Sequence, residues 1–203
     1  ESMIPYVNKK YPIYIKANEV KQIEAAVSWS KRHSVNIVIV GGKDAWKTTD
    51  ILAKNRIPVI YEGVTSIPMR RFEDYDQPYK TPYVLYESGV QFCISSFGYA
   101  GSTEQLRNLP YQASMAASYG LPKDVALRAI TLSVAEIIGV DKQIGSLDPG
   151  KDATLFISDG DPLEIRTNII QAYIQGREID MKDRHKSLYS KFREKYRQLD
   201  ILK

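Results

Sequence analysis

Ile144-Gly-Ser-Leu-Asp-Pro-Gly-Lys-Asp-Ala-Thr-Leu155 is the stretch on which the fold reading turns. Gly145 and Gly150 permit backbone angles closed to other residues, and Pro149 fixes a turn between them. The run that follows, Ala153 to Ser158, alternates Thr154 and Phe156 against Leu155 and Ile157, the period of a strand. Turn material at Asp159-Gly160-Asp161-Pro162 separates it from a second β-prone run, Ile169 to Gln175. A small β element is therefore expected after Gly139.

Upstream the pattern changes from paired strands to alternation. Pro12 to Ala17 reads as a short strand, and Asn18 stands where a helix N-cap belongs. Val20, Ile23, Ala26, Val27 and Ser30 recur at helical spacing, so a helix is expected from Glu19 to His33. Asn36 to Val40 is a continuous apolar strand of the kind covered on both faces, broken by Gly41-Gly42. A helix over Asp44 to Lys54, a strand at Pro58 to Tyr61, a proline- and tyrosine-rich loop over 62–82, a short helix at Tyr83 to Ser88 and a strand at Val90 to Ser95 complete the series. Four such alternations imply parallel strands joined by helical crossovers, in an open doubly wound sheet or in part of a closed barrel. Helices are then expected at Leu109 to Tyr119, at Pro122 to Thr131 and over about 133–138.

A longer ordered series surrounds the opening stretch. It runs Arg107-Asn-Leu-Pro-Tyr-Gln-Ala113, Gly120-Leu-Pro, Ala126-Leu-Arg-Ala-Ile-Thr131, Ala135-Glu-Ile-Ile-Gly139, the 144–155 segment, Gly160-Asp-Pro-Leu163 and Ile174-Gln-Gly-Arg177. This series resembles the C-terminal region of the amidohydrolase superfamily, in particular its imidazolonepropionase-like members. The resemblance implies that 144–155 leaves a barrel and begins the strands of an adjoining β-sandwich. It also implies that Pro12 to Ala17, Asn36 to Gly42, Pro58 to Glu62 and Val90 to Ser96 are barrel strands five to eight. The expected architecture is the second half of a (β/α)8 barrel over 1–139, sandwich strands over 140–181 and a terminal helix over 182–203.

The same resemblance implies a chemistry, hydrolysis of non-peptide carbon–nitrogen bonds such as those of cyclic amides. Family members hold zinc or another divalent metal with a His-x-His pair on strand one, histidines after strands five and six and an aspartate after strand eight. No His-x-His occurs in these 203 residues. Lys16 occupies the first histidine position, Val40-Gly41-Gly42 the second, and Ser95, Ser96 or Phe97 the aspartate position. A lysine ammonium is a poor metal ligand. No metal ligand, catalytic residue or cofactor is therefore assigned to this chain. His33 and His185, the two histidines, read as surface residues near helix ends.

In barrels of this kind active sites lie at the C-terminal strand ends, which selects Lys16, Asn18, Glu62, Ser95, Ser96, Arg107 and Asn108 as candidate substrate contacts. Lys16 has two readings, pairing with Glu62 or with an anionic ligand and reaching solvent. Asn18 reads first as a helix cap, and Arg107 and Asn108 first as anchors of the loop before the Leu109 helix. The aromatic residues Phe72, Tyr75, Tyr79 and Tyr83 are candidates to cover the strand ends or to dock a partner. Three functions compete: part of a hydrolase, a metal-free relative serving as a binding or structural module, and an independent open α/β domain.

Composition bounds these readings. At 43% hydrophobic and 26% charged residues the chain is globular, not disordered. Cys93 is the single cysteine, so no internal disulfide forms. The first residues carry no basic segment followed by an apolar one. The net charge of +4 is concentrated at one end: residues 182–203 hold eight basic and three acidic side chains, +5, which leaves the rest at −1. A broad nucleic-acid-binding face is thereby excluded. Leu188, Phe192, Tyr196 and Leu199 share one face of the terminal helix. The plainer expectation is a helix packed on its own protein, and the alternative is a membrane-surface or acidic-partner role.

With roughly 250 residues in a typical complete barrel, and no methionine at its start, this chain is expected to be a piece of a larger protein. A half-barrel exposes sheet edges and an apolar interior. Its expected partner is the missing N-terminal half of the barrel or a second copy of itself, with no membrane span.

Overall fold

The computed structural model describes residues 4–96 and 106–199. After a helical turn, α1 (Ile4–Val7), the chain alternates β1 (Ile13–Ala17), α2 (Val20–His33), β2 (Ile37–Gly41), a 3-10 turn (Ala45–Lys47) with α3 (Thr49–Lys54), β3 (Val59–Glu62), α4 (Gln77–Glu87) and β4 (Phe92–Ser95). Three helices follow, α5 (Leu109–Ser118), α6 (Lys123–Ala129) and α7 (Leu132–Ile138). The remainder is β5 (Leu155–Ser158), β6 (Ile169–Ile174), β7 (Arg177–Glu178) and α8 (Arg184–Gln198).

The first four strands are parallel and stand in the order β1-β2-β3-β4. One face of the sheet presents Ile15, Ile39, Val59, Tyr61 and Ile94, and all join one core with Ile23, Leu52, Leu85 and Ala113 of the helices. Sequential order with the crossover helices on one face is the winding of a barrel wall. A doubly wound sheet reverses its strand order and places helices on both faces.

The opposite face is only partly covered. Val38 and Cys93 pack against Ile137 of α7, flanked by Ile60 and Val134. Cys93 is buried there, and burial pushes its thiol up to about 12, so it is an inert core group. Tyr14 and Lys16, on the same face of edge strand β1, remain exposed.

Three expected boundaries shift, each for a local reason. The helix expected over Asp44 to Lys54 is divided at Thr48, whose backbone leaves helical angles (φ −125°, ψ 19°) while its hydroxyl donates to the Ala45 carbonyl at 3.2 Å. The helix expected at Tyr83 begins instead at Gln77, because Pro78 is suited to a first helical turn. Pro82 lies within this longer helix and lacks the N–H that would meet the Pro78 carbonyl. The buried Tyr61 hydroxyl donates to that carbonyl at 3.0 Å and replaces the missing bond. Tyr61→Phe should therefore destabilise the chain by about 1–3 kcal/mol, the cost of an unsatisfied buried acceptor. Equilibrium denaturation with an unchanged slope tests this, and an unaltered midpoint would contradict it.

The third correction concerns Asn18. The N-cap of α2 is Glu19, in a reciprocal capping box with Gln22, and the Gln22 side chain also accepts from the Asn18 N–H at 2.9 Å. Asn18 belongs instead to the strand crossing, where its carbonyl accepts from the Asp44 N–H at 2.8 Å.

After Gly139 the expected β element is a three-stranded antiparallel sheet, β5-β6-β7, with a register shift at Ile157/Ser158. Phe156, Ile170 and Ile174 of this sheet are exposed. The terminal helix departs from the plainer expectation: residues 182–199 are all exposed, so α8 does not pack on the body.

Candidate functional site at the strand ends

The C-terminal ends of β1 to β4 gather the polar side chains that the apolar sheet excludes elsewhere. β1 and β3 are separated by β2, whose residue opposite Lys16 is Val40. Lys16 passes over this strand and donates through Nζ to Oε2 of Glu62. The pair is asymmetric in burial, with the lysine side chain 55% exposed and the glutamate 9%. Ser95 stands opposite Glu62 in the β3–β4 register, and its hydroxyl donates to the Ser96 carbonyl at 3.1 Å. Ser96 is buried, and its hydroxyl accepts from Gln112 Nε2 of α5 at 3.4 Å.

Close backbone approach shapes the same end. Gly41 has φ +99°, and a Cβ there would lie 2.4 Å from Asn18 Oδ1. Gly42, at φ +64°, would place a Cβ 2.8 Å from Val59 Cγ1. The Gly42 N–H donates to the Ala17 carbonyl at 2.9 Å, which keeps the two strand ends together. Asn18 Oδ1 and Gln112 Oε1 are buried with no hydrogen-bond partner among the described residues.

A charged clasp then ties the loop after β3 to the loop after β2. Arg70 grips Asp44 with two parallel bonds of 2.8 Å and reaches Glu73 Oε1 at 2.6 Å. Lys47 bonds Glu73 at 3.0 Å, and Asp44 accepts from the Val20 N–H at 3.2 Å. Glu73 Oε2 also accepts from the N–H groups of Met69 and Arg70 at 3.1 and 3.2 Å. Burial works to raise the Asp44 and Glu73 carboxyls, but the bonds from Arg70 and the bonds and charge of Lys47 outweigh it and hold both below the usual carboxylate range. This clasp was not among the sequence candidates. Its members are 26 residues apart across two loops, and no periodicity connects them.

Of the residues selected from the sequence, the structure brings Lys16 and Glu62 into contact and sets Ser95 beside them in register. Asn18 lies against Gly41. Arg107 is exposed, and Asn108 is the N-cap residue of α5 without a side-chain capping bond. Tyr79 and Tyr83 do not cover the strand ends. Tyr79 packs on Tyr119 with ring centroids 5.0 Å apart, and the Tyr83 ring borders Gly120, so both fill the seam between α4 and α5. Phe72 and Tyr75 are exposed. His33 and His185 are exposed on α2 and α8, as expected from their positions.

This donor set does not fit a divalent metal. The Lys16 ammonium brings no lone pair and occupies the Glu62 carboxylate, while Ser95 and Ser96 offer neutral hydroxyls. Among the described residues no group of three or more His, Cys, Asp or Glu is placed to hold such an ion.

The sequence model of the amidohydrolase family matches residues 85–182. Over 65 residues the chain is 32% identical to amidohydrolase tasK of Hapsidospora irregularis, a segment amounting to 32% of this chain and 7% of that protein. The solved amidohydrolase of Thermotoga maritima MSB8 superposes with a TM-score of 0.75 at 27% identity, covering 88% of this chain and 45% of that one. Molinate hydrolase superposes with a TM-score of 0.61 at 16% identity, covering 84% and 43%, a likeness of fold alone. The chain spans less than half the length of these solved relatives.

Proposed function

We propose, for a chain whose residues 85–182 match the amidohydrolase family, that it is the C-terminal portion of a hydrolase acting on carbon–nitrogen bonds of small molecules. In this reading β1 to β4 are barrel strands five to eight, and their C-terminal ends form half of the substrate pocket. The observation that supports it is the convergence of Lys16, Glu62 and Ser95 at the one end of the sheet where barrel enzymes keep their sites. Lys16 and Glu62 present a cation and a carboxylate to a polar substrate. The other half of the pocket, with the remaining strands, closes against edge strands β1 and β4. Cyclic amides and amidated amino acids are the substrate classes to test with the full-length protein. Hydrolysis that falls by about tenfold or more in Lys16→Met would support the assignment, at the ~1–3 kcal/mol expected of one charged contact. No hydrolysis across the panel would overturn it.

The Lys16–Glu62 ion pair also favours a second reading. Where the family resemblance expects a metal-ligating histidine, this chain places an ammonium group already paired with a carboxylate. We propose on that ground a metal-free relative that keeps the barrel as a binding module. Stoichiometric zinc, manganese or iron in the full-length protein would rule this reading out.

A further inference from the structure

We propose that α8 is a docking element for an anionic lipid surface. The inference rests on the arrangement of side chains around this helix and is independent of the strand-end site. At 3.6 residues per turn, Leu188, Leu199, Phe192, His185, Tyr196 and Tyr189 follow one another around the helix within an arc of about 100°. Lys195, Arg184 and Lys191 border that arc on one side, and Arg193, Lys186 and Arg197 border it on the other. Glu194, the one acidic residue of α8, falls opposite the apolar arc, among Ser190, Ser187 and Gln198. None of these residues is buried by the rest of the chain.

Each part of this pattern narrows the occupant. An apolar arc bordered on both sides by cations suits a plane with an apolar interior and an anionic rim, the boundary between acyl chains and headgroups. Two copies of α8 packed face to face would bring the flanking lysines and arginines of one against those of the other, which disfavours self-association. A protein groove wraps more of a helix than a plane does, whereas here the face opposite the arc is hydrophilic and keeps its carboxylate toward water. The aromatic share of the arc, Tyr189, Phe192 and Tyr196, fits the interfacial zone, where rings with a polar tip are favoured. Arg193 lies over the Tyr189 ring, 5.9 Å from its centroid, so the cation at that border is held beside the apolar arc. Among the described residues no helix is long and apolar enough to cross a membrane, so the contact is peripheral.

The helix is organised for this role before contact. Asp183 is its N-cap and accepts from the Lys186 N–H at 2.8 Å, and that bond together with nearby positive charge holds its carboxyl below the usual range. Cap and helix are thus formed without support from the body of the protein.

The test is sedimentation of the full chain with vesicles of phosphatidylcholine alone and of phosphatidylcholine mixed with phosphatidylserine. Binding is expected to the mixed vesicles only and to weaken as salt rises. Lys191→Gln combined with Lys195→Gln should weaken it about 25-fold, at roughly fivefold per cation near an anionic surface. Phe192→Glu should abolish it. Since none of these side chains is buried, all variants should keep the parent's thermal midpoint, which separates lost docking from lost folding. Equal partition onto both vesicle types, or binding that survives Phe192→Glu, would overturn the proposal. So would capture of an acidic protein through α8 by a chain that leaves both vesicle types unbound.

Discussion

Replacing Arg70 by alanine is expected to lower the stability of the chain by about 2–4 kcal/mol, near the range for removing one partner of a buried ion pair and reduced for the partial exposure of the arginine. The reason is what stays behind. Asp44 is 1% exposed, and without the two Arg70 bonds its carboxylate keeps only the Val20 N–H at 3.2 Å and the Lys47 ammonium at 3.4 Å. Glu73 loses its shortest charged bond in the same step. Arg70→Lys should recover only part of the loss, since an ammonium cannot reproduce two parallel bonds to one carboxylate. The measurement is the urea midpoint of each protein at constant slope. A change below about 0.5 kcal/mol, the level of an ordinary surface substitution, would refute the account.

The pH dependence of this difference has a definite sign. The folded state holds the Asp44 and Glu73 carboxyls below their usual values, so the unfolded chain binds their protons first. The clasp therefore contributes fully above the unfolded carboxyl range of about 4. Its contribution is lost as pH falls through the lower folded values. The gap between the parent and Arg70→Ala should be widest near neutrality and narrow progressively in acid.

The second large effect is expected at Gly42. An alanine there adopts φ +64° at a cost of about 1–2 kcal/mol for the left-handed backbone, and its Cβ meets Val59 Cγ1 at 2.8 Å in the closed core. Overpacking of a filled interior adds a further penalty of about 1–3 kcal/mol, so the loss should reach about 2–5 kcal/mol. Gly139→Ala is the control. Its φ is +78°, and no atom lies within 4 Å of the added carbon. It should show the backbone cost alone. Equal losses at the two positions would mean that the close approach of β2 and β3 contributes nothing.

The two glycines illustrate what could be read from the chain itself. Gly41-Gly42 after an apolar run marks the end of β2 in any setting, because only the local backbone is involved. The same holds for Ile37–Gly41, whose branched apolar side chains suit a strand buried on both faces, and for α2, whose stripe of Ile23, Ala26 and Val27 is buried as its spacing requires. The family resemblance was legible too, since the series from Arg107 to Arg177 is ordered along the chain, and the family model matches residues 85–182.

The clasp was not legible, and neither was the extension of α4. Asp44 reads locally as the start of a helix, and only the arrival of Arg70 from another loop turns it into an ion-pair partner. Pro82 reads locally as a helix breaker. It is tolerated because Tyr61, from a strand 17 residues before Pro78, supplies the missing hydrogen bond. Asn18 reads as a cap because its side chain suits one, yet Glu19 and Gln22 satisfy the helix end between them.

By itself, then, the sequence determined the alternation of strands and helices, the resemblance of residues 85–182 to the amidohydrolase family and the concentration of positive charge in one terminal helix. These depend on residues close together in the chain or on motifs in fixed order. The tertiary structure alone decided that α2, α3 and α4 pack on one face of β1 to β4 and α7 on the other, that Lys16 meets Glu62 across an intervening strand, and that α8 stands apart from the body. Each of these depends on which surfaces face one another after folding, and burial and charge pairing across distant segments settle that.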